Sequence, residues 1–174
     1  MDITDVILFQ HHQQRRLFAV LDEIDRDDTE ALGAVWKQLA ILLEVHAEAE
    51  ERFFYPEVLK VGRGAGGADS AADETEDAIG DHNDIRDAVE RANDAEVGSD
   101  AWWSAVIDAR VANSDHMGEE EREDLADVRQ HSDLQTRHDI AVKFLVFEAQ
   151  HATGIEPTNR DPEDYVAEGR PTST

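Results

Sequence analysis

Two stretches of this sequence set a histidine and a glutamate four residues apart inside apolar, helix-forming runs: His46-Ala47-Glu48-Ala49-Glu50 and His116-Met117-Gly118-Glu119-Glu120. Four residues of α-helix turn the chain about 40° past one full turn, so each pair projects from a single face. Around His46 that face also carries Leu32, Trp36, Leu39, Leu42, Leu43, Phe53 and Phe54, and ahead of His116 it carries Trp102, Val106 and Ala109. An imidazole and a carboxylate in such a stripe are costly to bury unless they are paired or bind a metal. Each pair is preceded by a lone histidine: His11 lies 35 residues before His46, and His82 lies 34 before His116. The chain is thus a helical hairpin with a lone His on its first arm and His-x-x-x-Glu on its second, made twice.

Antiparallel packing of two such hairpins brings the inward polar groups of four helices to one level of the core. Four imidazoles and two carboxylates then face each other, and two metal ions fit that set better than one, each glutamate being able to bridge. Taken singly, each element has an ordinary reading: a lone buried His as a hydrogen-bonded core residue, a His-x-x-x-Glu pair as an exposed helix pair. The doubling favours metal, because six costly polar groups would otherwise fall on buried stripes by accident.

With 174 residues the chain is long enough for one domain with a real core. Ten glycines, four prolines and the lack of any alternating β-branched run make it all-helical. Without cysteine there are no disulfides, thiolate metal sites or cysteine nucleophiles, which leaves His and carboxylates as the strong ligands. A formal charge of −25 repels nucleic acid and anionic lipid and concentrates cations near the surface. No apolar run approaches membrane length, and the acidic start is unlike a signal peptide, so the expected location is the cytoplasm.

In chain order, a first helix is expected from Thr4 to about Asp25, with His11 on its buried side and His12 on its flank. A second runs from the Asp27-Asp28-Thr29-Glu30 start signal to about Lys60, kinked or ended early by Pro56. Residues 62–70, rich in glycine, are expected as a flexible loop. A third helix spans Ala71 to Ala92, and a fourth, capped at Ser99-Asp100, continues to about Gln130. A fifth, capped at Ser132-Asp133, is apolar nearly all round and should pack across the bundle or serve an oligomer contact, which leaves monomer and homodimer both open. The domain is expected to span 1–153, followed by a polar tail, 154–174, laid on the surface or disordered. Trp36, Trp102, Trp103, Phe53 and Phe54 are assigned to the core, and His131 and His151 to the surface. The acidic run Glu119 to Glu123 is assigned to solvent apart from Glu120. Glu148-Ala149-Gln150-His151 matches a ferritin-like Glu-x-x-His step, but it occurs once where that fold needs two.

The set Asp5…His11…Leu17-Phe18, His46-Ala47-Glu48-Ala49-Glu50…Tyr55-Pro56, Asp81-His82-Asn83 and His116-Met117-Gly118-Glu119-Glu120-Glu121 resembles the hemerythrin-like family of HHE cation-binding domains, over about residues 3 to 130. The resemblance implies an up-down-up-down four-helix bundle around a non-haem di-iron centre, here with an extra C-terminal helix. It implies His11, His46, His82 and His116 as iron ligands, Glu50 and Glu120 as bridges, and two iron ions joined by oxo or hydroxo and carboxylate bridges. The oxygen carriers of the family have a second His four residues after the third-helix one, where this chain has Arg86. They also end the fourth-helix motif with Asp after a five-residue step, where this chain has Glu120 after four. At least one iron is then short of protein ligands unless His12, Glu51, Glu121 or His138 completes it. Open positions favour binding of, or reaction with, O2, peroxide or NO. Three function classes follow: a diatomic-ligand binder, a catalase-like peroxide-decomposing enzyme, and an iron or redox sensor or store.

Overall fold

The computed structural model describes residues 1–66 and 69–169. It is all-helical: α1 Ile3–Glu23, α2 Thr29–Ala49, a π-helical turn Glu50–Phe54, α3 Tyr55–Val61, α4 Ala71–Asp94, α5 Asp100–Arg122, α6 Asp124–His131, α7 Leu134–Gln150 and α8 Pro162–Gly169. Side chains that accept from otherwise free backbone amides start these helices: Asp2 from Thr4, Asp28 from Ala31, Ser70 from Asp73, Ser99 from Trp102, and Asp133 from Gln135 and Thr136. No helix among the described residues is long and apolar enough to cross a membrane.

The hairpins α1–α2 and α4–α5 pack together as the four-helix bundle. Its apolar core is split in two. One cluster, around Phe18, Leu21, Leu32, Trp36, Leu39, Val89, Trp102 and Val106, fills the end near the α1–α2 and α4–α5 turns. The other, around Ile3, Ile7, Val45, Phe54, Val58, Ile79, Leu125, Phe144 and Phe147, fills the opposite end. Between them lies a buried polar layer that holds His11, His46, Glu50, His82, His116 and Glu120.

Three segments depart from expectation. The second arm neither ends nor simply kinks at Pro56. It widens one turn earlier, where the Tyr55 amide donates to the Glu50 carbonyl five residues back. Pro56 has no N–H for the Arg52 carbonyl and its ring would crowd it, and the wider turn relieves both problems. The fourth helix stops at Arg122 instead of Gln130; at Glu123 the backbone leaves helical values (φ −108°, ψ −83°) and re-enters a helix at Asp124. The loop 62–70, expected to be flexible, is tied down where it is described: Asp127 accepts from the Arg63 and Gly64 amides, and Glu74 from Ala65. Gly67 and Ala68 lie outside the described residues.

The fifth helix, α7, packs on α1, α2 and the π-turn through Ile140, Ala141, Phe144 and Phe147, and leaves Leu134, Val142 and Val146 exposed. Beyond it the chain is laid on the surface but is more structured than a plain tail. Asn83 exchanges two hydrogen bonds with the Arg160 backbone, α8 docks on α4, and Val166 is buried. Residues 170–174 lie outside the described residues. Of the aromatic residues assigned to the core, Phe53 is only half-buried.

Candidate metal centre

Each helix of the bundle contributes one imidazole to the polar layer, and all four rings are buried. The Nε2 atoms point inward and the Nδ1 atoms outward to fixed partners. His11 Nδ1 donates to Glu121 Oε1 (2.9 Å), His46 Nδ1 to Gln10 Oε1 (2.6 Å) and His82 Nδ1 to Glu51 Oε1 (2.9 Å), while His116 Nδ1 faces Asp81 Oδ2 at 3.5 Å. Carboxylate and amide oxygens only accept, so the three hydrogen bonds place the ring proton of His11, His46 and His82 on Nδ1 and leave their Nε2 lone pairs facing the centre.

Around Glu50 and Glu120 the centre sets acceptors against acceptors. Glu50 Oε1 lies 2.9 Å from His46 Nε2 and Glu50 Oε2 lies 3.3 Å from His82 Nε2. Glu120 Oε2 lies 3.2 Å from His11 Nε2, and the Nε2 atoms of His82 and His116 approach to 3.2 Å. The Nε2 atoms of His11 and His46, both Glu50 oxygens and Glu120 Oε2 are buried without a hydrogen-bond partner. Such an arrangement is repulsive with neutral rings and becomes favourable when cations stand between the lone pairs. The donor atoms fall into two sets, each within 4.8 Å: His11, His46 and Glu50, and Glu50, His82 and His116. Glu50 belongs to both, with one oxygen toward each.

Protons relieve the same repulsion in the metal-free protein. Burial alone would lower the His11 and His82 pKa values, but the carboxylates against them prevail: Glu120 and Glu121 raise His11 to about 9, and Glu50 and Glu51 raise His82 to about 9. Burial opposes ionisation of Glu50, yet His46 and His82 hold it well below the usual carboxylate range.

The π-turn makes this geometry possible. Adjacent residues of an α-helix diverge by about 100°, yet Glu50 and Glu51 are both buried, as are Phe54 and Tyr55. The widened turn keeps them all inside. Glu51 then serves as the brace of His82 and accepts from Arg86 Nη2 (2.7 Å) and from Arg160 Nε. Tyr55 OH donates to Glu120 Oε1 (3.1 Å) and lies 3.4 Å from His82 Nε2. Burial and the nearby Glu120 and Glu50 raise its pKa well above the usual value, so it stays a neutral phenol.

None of the four residues that could complete the coordination, His12, Glu51, Glu121 and His138, joins the inner set. His12 is exposed. His138 faces the Met1 carbonyl, away from the centre (3.3 Å). Glu51 and Glu121 brace rings from outside, so Glu121 is not solvated as expected; it also pairs with Arg15. Glu148 reaches the centre indirectly by accepting from Gln10 Nε2 (2.8 Å), behind His46. His131 and His151 are half-buried, bonded within their own helices. The sequence alone gives Gln10 and Tyr55 no role, although Tyr55 stands in the family-like pattern and the helical period places Gln10 on the buried side.

A four-helix bundle with two His/Glu donor sets at one level of its core defines a metal-binding helical-bundle protein. The family model of the hemerythrin HHE cation binding domain matches residues 2–128, and the chain belongs to that family. No curated protein and no solved structure gives a match.

Proposed function

We propose that the protein holds two iron ions, one at His11 and His46 and the other at His82 and His116, bridged by Glu50 and Glu120, and that it binds or reacts with O2, peroxide or NO. The observation that carries this reading is Glu50, whose two buried, unpartnered oxygens each face a different histidine set. Iron rests on the family; imidazole and carboxylate donors also suit manganese and zinc. A bridged iron pair supplies two-electron redox chemistry at a site this deeply buried. The residues do the rest. Gln10, Glu51 and Glu121 hold the rings of His46, His82 and His11 in one tautomer, Asp81 faces His116, and the two apolar clusters exclude bulk water. Arg86, where the oxygen carriers have a ligand, fixes Glu51 against His82 and leaves the second set with fewer protein donors.

Tyr55 favours a second, enzymatic reading. Decomposing hydrogen peroxide requires a proton to move between its oxygens, and the Tyr55 hydroxyl is a neutral donor in the buried layer beside Glu120. Metal analysis with an optical spectrum tests the proposal: two irons per chain with oxo-bridged ferric bands are expected, and a single iron would overturn it. Oxygen evolution on adding peroxide, reduced in Tyr55→Phe, marks the enzyme; ligand-induced spectral change without oxygen evolution marks the binder.

A further inference from the structure

A narrow cleft runs between α4 and the α5–α6 junction and ends on the metal centre. On the α4 side Glu74, Asp77 and Asp81 recur at three- and four-residue steps, so they form one stripe with Ala78 between them. Glu119 and Glu123 face it from the other side, and Asp124 lies deeper. The inner end is formed by His116 and Glu120 themselves. Facing stripes in a helical bundle are ordinarily apolar. Here carboxylate meets carboxylate, and among the described residues no lysine or arginine lines the cleft; Arg122 pairs with Glu123 at its edge (2.8 Å).

Two of these carboxylates are not surface groups. Glu74 is 2% exposed and Asp124 3% exposed, and Glu74 Oε2 and Asp124 Oδ1 have no hydrogen-bond partner. Burial, with the charges of Glu120 and Glu74, raises the Asp124 pKa well above the usual range; burial, with Asp127 and Glu123, raises Glu74 to about 7. Asp127 itself is satisfied by the Arg63 and Gly64 amides and by His131. Asp124 follows His116 and Glu120 at two four-residue steps, on the same inward stripe, and it stays buried across the break at Glu123.

We propose that this cleft is the entry route for divalent cations, in which Asp77 and Glu123 collect the ion at the mouth and Glu74 and Asp124 pass it to His116 and Glu120. This rests on the metal-centre reading. An exposed acidic mouth leading into a low-dielectric passage focuses the field and raises the arrival rate of cations. The passage carboxylates release the ion because the inner donors bind it better: imidazole and carboxylate together outcompete carboxylate alone for a first-row transition metal.

The test is the rate at which metal-free full-length protein takes up Co2+, followed by stopped-flow absorbance. Asp77→Asn with Glu123→Gln removes two of the charges at the mouth without touching a ligand, and Asp77 is exposed, so Asp77→Asn alone is the milder second variant. Loading is expected to slow about tenfold in the double variant and by less in the single one, with the final Co2+ per chain unchanged. Raising salt to about 0.5 M should slow the wild type toward the variant. Glu30→Gln with Glu90→Gln, an equal change of charge at exposed sites outside the cleft, should load at the wild-type rate. Wild-type rates in the mouth variants, or equal slowing in the control, would overturn the route. A wild-type protein that takes up no Co2+ would overturn the metal centre itself, and the route with it.

Discussion

Gln10 stands one residue before His11 and serves a different imidazole. Its carbonyl accepts from His46 Nδ1 and its amide donates to Glu148, so a neutral side chain sets the tautomer of one candidate ligand and ties it to α7. Gln10→Leu keeps the bulk and removes the acceptor; it should weaken metal binding about 10–100-fold, with stoichiometry unchanged, in competition with a chelator. Glu50→Ala should instead lower the metal content, since both donor sets use that side chain. The six inward residues were legible in the sequence because helical period and hairpin spacing fix which face a residue takes. Their braces were not. From the sequence Glu51 and Glu121 serve equally well as ligands, and only the three-dimensional direction of each carboxylate, toward Nδ1 rather than Nε2, separates the two roles.

Among the elements, the junctions were less legible than the helices. Pro56 does signal irregularity in the second arm, although it cannot reveal that the irregular turn begins at Glu50 and brings Glu51 inside. The break at Glu123 has no glycine or proline to announce it; it lies in an acidic run that reads as solvated helix. The final segment reads as polar, and its docking depends on Arg160 meeting Glu48 and Glu51 from another part of the chain. Glycines inside and between helices have opposite roles. A Cβ at Gly118, within α5, would meet nothing within 4 Å, whereas at Gly62 it would sit 2.6 Å from the Val58 carbonyl and 2.7 Å from Asp127 Oδ2. Gly118→Ala should therefore raise unfolding stability by about 0.5–1 kcal/mol, and Gly62→Ala should lower it, as read from denaturant midpoints.

At the scale of the whole molecule, metal and proton compete for one polar layer. His11 and His82 have folded-state values of about 9 against 6.5 ordinarily, so in the metal-free protein the stability they contribute is fully present below pH 6.5 and is lost as pH rises through about 9. Bound metal replaces those protons and removes that loss. Glu44 and Glu74, raised to about 7 chiefly by burial, titrate in both forms. The gap in melting temperature between loaded and metal-free protein should therefore widen from pH 6.5 to 9, and a constant gap would contradict the assignment of the layer. The split core also sorts the chromophores. All three tryptophans, Trp36, Trp102 and Trp103, belong to one apolar cluster, whereas both tyrosines, Tyr55 and Tyr165, lie with the other. Ultraviolet emission thus views the two ends of the bundle through separate windows, and a metal-free state that frays at one end would darken or shift only one of them.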